Sequence, residues 1–345
     1  MANHPFWRCR SKYRRMLLCL AGLFLLTQMG NGCSGGHSPN AADRADPGPL
    51  RVAVTVEPLR WLAARVGGDA VRPVTVVPPG QNHETWEPAP GHMDTLREAV
   101  VYFESGMPFE EPLIARLQGV NPSLESVCLL DAVTARYPAP EPDTGATPQE
   151  TAEPPAHPGH GHTHEESGDP HGHDHGHEFG DPHFWTDPLA MTAAAERIAE
   201  TLARKRPELA DRFRKNLESL TQELEALHRE IAETLAPYRG KPFYVFHPEL
   251  GWFARRYGLI QRAVEQHGKS PGAQALDLLA REIRENTVRD LFTQPGYPVT
   301  EVQALARQLN LRVRDVDLMT EDYPGSLRNL AAVLAESFAG AASTP

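Results

Sequence analysis

Histidine is the residue whose type and spacing matter most in this chain, which has 16 of them. The run from His157 to His177 holds His157, His160, His162, His164, His171, His173, His175 and His177 among glycine, proline and acids. Such a tract cannot build a core, and imidazole is the commonest side-chain ligand for zinc, so the tract reads as an auxiliary, low-affinity metal-binding segment. Beyond it, His83, His183 and His247 occur singly, and Asp317 follows a β-rich run. Three imidazoles and one carboxylate would fill the four positions of a tetrahedral Zn²⁺ shell. Each has a plainer reading. A lone loop histidine is usually solvated, His183 could be the tail of the low-complexity tract, and His247 before Pro248 could start a helix. Asp317 could be a turn residue, with Asp315 and Asp322 as rivals. His92, His228 and His267 read as surface residues.

The elements that must position these groups alternate. Strands are expected at Leu50–Val56, Val71–Val77, Val100–Phe103 and Ser126–Leu130, with helices through Val66 and over Phe109–Leu117. A second block alternates strands at Phe243–Phe246, Ile260–Val264, Val288–Thr293 and Leu311–Val316 with helices at Glu249–Tyr257, Ala273–Asn286, Val299–Leu309 and Leu327–Phe338. The pattern is α/β: two lobes, each a parallel sheet flanked by helices. Between them Leu209, Phe213, Leu217, Leu220, Leu224, Leu227, Ile231 and Leu235 step by three and four, the stripe of a helix about 40 Å long if continuous from Pro207. The expected organisation is a leader at 1–33, a tether at 34–49, an N-terminal lobe at 50–206 with a low-complexity loop at 138–180, a linking helix at 207–236 and a C-terminal lobe at 237–340. In this scheme His83 and His247 follow strands, Asp317 follows another, and ligands of open α/β sheets sit beyond the carboxyl ends of strands.

The formal charge of −11 leaves no basic surface for phosphates, so no nucleic-acid partner is expected. The N-terminus reads as a targeting segment: a basic stretch from Arg8 to Arg15, then the apolar run Met16–Leu26, too short to span a bilayer comfortably. Gly32-Cys33 ends it, and two outcomes compete: Cys33 as a lipidated anchor residue, or cleavage nearby with Cys33 incidental. Cys9 and Cys19 precede that point, leaving Cys128 in an apolar run, so neither a disulfide framework nor a cysteine-based zinc site is expected.

Several segments resemble the metal-binding solute-binding proteins of bacterial ABC transporters, the zinc and manganese class. Pro78 to Pro90 (PPGQNHETWEPAP) is similar to that family's first-ligand loop. Asp181 to Pro188 (DPHFWTDP) is similar to its second-ligand motif, and Phe246-His247-Pro248 with Gly251-Trp252-Phe253-Ala254 and Tyr257-Gly258-Leu259 to its third. Val316-Asp317-Leu318, with Tyr323 and Asn329, resembles the fourth. The resemblance covers about residues 50 to 340, and the histidine-rich stretch before the second motif places it in the zinc-uptake branch. It implies a metal held in a cleft between two lobes by His83, His183, His247 and Asp317. It also implies Zn²⁺ as cargo, with Mn²⁺ less suited because that ion prefers harder oxygen ligands than a third imidazole. The further implications are an extracytoplasmic protein, monomeric, delivering metal to a permease with its ATPase, and not an enzyme. Three departures stand out: Asn82 where many members have proline, Leu318 where proline is common, and Gln294 where an acid is common. Imidazole protonation near pH ~6.5 should weaken binding. The competing classes are a secreted zinc hydrolase, for which Glu84 is the nearest general base but no H-E-x-x-H helix exists, and a metal-binding surface adhesin or storage protein.

Overall fold

The computed structural model describes residues 48–83, 86–140, 180–265 and 271–342. The expectations that rest on Cys33, Glu84, His267 and the histidines from His157 to His177 lie outside the described residues.

Eight strands form two four-stranded parallel sheets. The first contains β1 (Leu50–Val54), β2 (Val71–Thr75), β3 (Val101–Glu104) and β4 (Glu125–Cys128), and the second β5 (Pro242–Val245), β6 (Ile260–Ala263), β7 (Asp290–Thr293) and β8 (Arg312–Asp315). Their orders are β2-β1-β3-β4 and β6-β5-β7-β8, so both lobes use one topology. Each order reverses beside its first strand, leaving a crevice at the carboxyl ends of β1 and β3 and of β5 and β7, where open parallel sheets take ligands. The central strands are apolar because helices cover both faces: Val52 and Val54 are fully buried, as are Tyr102 and Phe103. Edge strand β8 instead carries Arg312, paired to buried Asp290 at 2.9 Å, and Arg314, paired to Glu336 at 3.0 Å.

Ten helices complete the chain among the described residues: α1 (Glu57–Gly67), α2 (Pro90–Leu96), α3 (Glu110–Val120), α4 (Leu129–Arg136), α5 (Pro188–Lys205), α6 (Ala210–Leu235), α7 (Gly251–Tyr257), α8 (Ala273–Glu285), α9 (Val299–Leu309) and α10 (Tyr323–Ala342). The helical stripe belongs to α6, whose Phe213, Leu220, Leu224, Leu227, Ile231 and Leu235 are buried. That face packs on α1 and α5 on one side and on α7 and α10 on the other. One apolar core therefore runs from Val52 through Leu202 and Leu227 to Trp252, Tyr323 and Leu334, while a second, smaller core lies between β5, β7, α8 and α9. None of the described helices is long and apolar enough to cross a membrane.

Three local expectations need correction. The run Ser126–Leu130 is not one strand: β4 ends at Cys128 and Leu129 opens α4, because apolar residues in a short run fit either period. His92 is not a free surface residue; it lies on α2 and its Nε2–H donates to the Thr75 carbonyl at 3.1 Å. His228 is half-buried on α6 and stacks on Tyr257, ring centroids 5.7 Å apart.

Candidate metal site

The site is assembled from chain segments that leave the carboxyl ends of strands. Val76 and Val77 continue the ladder beyond β2, donating to Val54 O at 2.7 Å and Thr55 O at 2.9 Å. A turn follows in which Gln81 N–H donates to Pro78 O at 3.2 Å, and His83 then points inward, 3% exposed. The loop after β7 presses on this turn. A side chain on Gly296, whose φ is +97°, would place its Cβ 2.9 Å from Asn82 N, so only glycine lets the second lobe come this close to the residue before His83.

His183 opens a short 3₁₀ turn at Phe184–Thr186, and His247 lies two residues past the end of β5. The three imidazoles meet: ring centroids lie 5.4 Å apart for His83 and His183, 5.8 Å for His183 and His247, and 6.4 Å for His83 and His247. The Nε2 atoms of His83 and His183 are 3.3 Å apart. Zinc–nitrogen bonds of about 2.0–2.1 Å at the tetrahedral angle put two donors about 3.3–3.4 Å apart, so this pair already spans one edge of a zinc shell. The set is not closed: among the described residues, no group of three or more His, Cys, Asp or Glu side chains stands ready to hold an ion.

Aromatic neighbours fix the rings. Trp185 meets His83 and His183 edge-on at 6.0 and 5.2 Å, and Tyr297 stacks on His247 at 5.4 Å. Asp181 Oδ1 accepts from His183 Nδ1–H at 2.8 Å and from its backbone N–H at 2.9 Å.

Asp317 is placed differently from the histidines. It is exposed, and its Oδ1 accepts from Met319 N–H at 2.8 Å. Met319 lines the same small cavity as His83, so this segment borders the site although the carboxylate faces its own loop. A carboxylate that sequence reasoning missed is nearer: Glu265 Oε2 lies 3.7 Å from His247 Nδ1, both side chains 11% exposed. No local signal marks Glu265, which follows β6; the pairing of β6 with β5, which leads to His247, brings the two together. Gln294, at the end of β7, is buried and its amide nitrogen finds no partner among the described residues.

Behind the histidines, Asp187 ties the lobes. Its Oδ1 accepts from Leu189 N–H at 2.9 Å, capping α5, and its Oδ2 accepts from Arg256 Nε at 2.8 Å. Around this pair burial, then Asp187, pushes the Tyr257 and Tyr323 phenols well above their ordinary value, and burial, then Arg256, lowers His228. Helix α7 also grips both described edges of the histidine-rich stretch: Arg256 lies over the Tyr137 ring at 4.9 Å, Arg255 donates to Pro138 O, and Trp252 Nε1–H donates to Asp181 O at 2.9 Å.

Comparison with known proteins gives a consistent result. A model of the ZnuA family, described as zinc-uptake complex component A, periplasmic, matches residues 52–337. The high-affinity zinc uptake system protein ZnuA of Brucella abortus (strain 2308) is 31% identical over 160 residues, 44% of this chain and 48% of its own length. The aligned part thus spans about half the length of that curated relative. A crystal structure of ZnuA superposes with a TM-score of 0.69 at 26% identity, covering 84% of this chain and 99% of the other. A zinc-bound ZnuA deletion mutant gives the same TM-score and identity over 84% and 98%.

Proposed function

Since the chain belongs to the ZnuA family of periplasmic zinc-uptake components, we propose that it captures Zn²⁺ outside the cytoplasm and hands it to a membrane permease driven by an ATPase. Zinc is cargo here, and the role is binding and transfer rather than catalysis. The observation that carries the reading is the convergence of three imidazoles from three separate segments, with two Nε2 atoms 3.3 Å apart, the edge of a tetrahedral zinc shell. His83, His183 and His247 are the ligands in this reading. An all-nitrogen face supports Zn²⁺ over Mn²⁺. A carboxylate takes the fourth position: Asp317 by family likeness, with Glu265 as the rival that geometry offers beside His247.

The segment 138–180 serves as an auxiliary collector. Support comes from its composition and from its two described edges, which lie against α7 within a few residues of His183 and His247. In this reading residues 1–33 are an export signal that ends either in a lipid anchor at Cys33 or in cleavage nearby with Cys33 incidental, and the protein acts as a monomer.

A competition titration against a chromophoric zinc chelator tests this, run on the protein and on a variant lacking 138–180. One tight site kept without the segment, with weaker sites lost, is the expected result. A tight site that vanishes with the segment would refute the three-histidine reading.

A further inference from the structure

We infer that Asp181 is a positioning residue for zinc capture: held by the start of helix α7, it fixes the tautomer and aim of His183. This rests on the three-histidine reading above.

A carboxylate can only accept hydrogen bonds, so the 2.8 Å contact requires the hydrogen of His183 to be on Nδ1. The lone pair is then on Nε2, the atom 3.3 Å from His83 Nε2. The same Oδ1 accepts the His183 backbone N–H at 2.9 Å, so one oxygen holds both the ring and its backbone. A negative acceptor also makes the imidazole a stronger donor of its lone pair to a cation.

Asp181 is in turn held from the other lobe. Its carbonyl accepts Trp252 Nε1–H at 2.9 Å, and Trp252 is 2% exposed. Its Oδ2 lies so close to Gly251 that a Cβ there would stand 2.6 Å from it, with Pro140 Cγ at 3.3 Å on the same side. Gly251 is the first residue of α7, and no left-handed backbone requires glycine there; its missing side chain gives Asp181 the room it occupies. Helix α7 starts four residues after His247, so His183 and His247 share one mounting although they leave different parts of the fold. His83, on its own loop, completes the triad from outside that mounting.

Zinc affinity by chelator competition and the visible spectrum of the Co²⁺ form test this in the full-length protein, for D181A, D181N and G251A, with H183A as reference and metal-free melting as the folding control. D181A should weaken zinc by about 10- to 100-fold, the usual loss for an outer-shell partner, with the Co²⁺ bands displaced. D181N keeps an acceptor oxygen without the charge and should fall between D181A and the unaltered protein. G251A changes neither a ligand nor Asp181 yet should weaken zinc and displace the same bands. If H183A binds poorly while folded D181A and G251A bind as the unaltered protein does, the positioning role is wrong. Should D181A fail to fold, D181N and G251A decide in the same way. If H183A itself binds normally, it is the three-histidine reading that fails.

Discussion

Replacing Asp187 by asparagine should destabilise the protein by about 2–3 kcal/mol, and replacing it by alanine by about 1 kcal/mol more. Asp187 does two things with two oxygens. Oδ1 caps α5, accepting Leu189 N–H at 2.9 Å, and asparagine caps a helix about as well as aspartate, whereas alanine forfeits about 1 kcal/mol. Oδ2 takes Arg256 through Nε at 2.8 Å and a terminal nitrogen at 2.6 Å, a forked contact. The Asp187 side chain is 2% exposed, so breaking the pair should cost toward the 3–5 kcal/mol seen when one buried charge is stranded. Arg256 keeps 22% of its side chain in water and lies on the Tyr137 ring, which softens the loss and brings the figure for asparagine down to about 2–3 kcal/mol. Urea unfolding followed by both tryptophan fluorescence and far-ultraviolet dichroism measures it, with R256M and the double variant closing a cycle. The two single changes should be strongly non-additive. A D187N protein within about 0.5 kcal/mol of the original, the surface-substitution range, would mean that the lobes are not held by this pair.

Other outcomes follow from the same structure. Glu110 is 1% exposed and accepts the backbone N–H groups of Ser105, Gly106 and Met107 at 3.0, 2.7 and 2.6 Å. Glutamine has one acceptor oxygen for donors that use both, so E110Q should lose about 1–3 kcal/mol on thermal or urea unfolding by leaving a buried N–H facing an NH₂. His228, held below its ordinary 6.5 by burial and then by Arg256, binds its proton more weakly folded than unfolded. Its contribution is therefore intact above pH 6.5 and lost as pH falls toward the folded value. H228F, which keeps the stack on Tyr257, should flatten that part of the stability profile, and an unchanged acid limb would refute it. D317A and E265A separate the two candidates for the fourth ligand. The true ligand should cost more zinc affinity, while loss of an outer carboxylate should stay within about 10- to 100-fold.

Much of this fold could be read from the chain because parallel strands buried on both faces write themselves as apolar runs. Val52–Val54 and Phe243–Val245 fall within expected strands, and the stripe from Phe213 to Leu235 gives α6. Boundaries slipped where one apolar run serves two elements, as at Cys128–Leu129, and where α2 carries too few apolar residues to show a period. The histidines could be picked out because each follows a strand or a distinctive motif. Glu265 could not, since nothing local marks it; only the pairing of β6 with β5 brings it beside His247. The inward turn of His92 toward Thr75 O and the stack of His228 on Tyr257 are likewise tertiary facts.

The repeated strand order explains why the site lies where it does. In each sheet the crevice opens beside the first strand, β1 or β5, and β5 delivers His247 there without any special loop. The first lobe reaches the same place from β2, by way of the proline turn that carries His83. His183 comes from neither sheet; it precedes α5, which α6 packs against along the shared core. That core continues from Val52 to Leu334, so opening the lobes as rigid halves would expose apolar surface at about 25 cal/mol per Å². Release is then cheaper by local movement than by hinge opening. In the three-histidine reading, His183 is bound to Asp181 and His247 lies under Tyr297, while His83 sits on the loop beyond β2 and meets Trp185 edge-on. The loop from Pro78 to His83 meets the second lobe at Gly296 by backbone contact, beside Met319, and at the His247 ring. In the proposed reading, a shift of that loop would withdraw one imidazole while leaving the core and the α7 mounting in place.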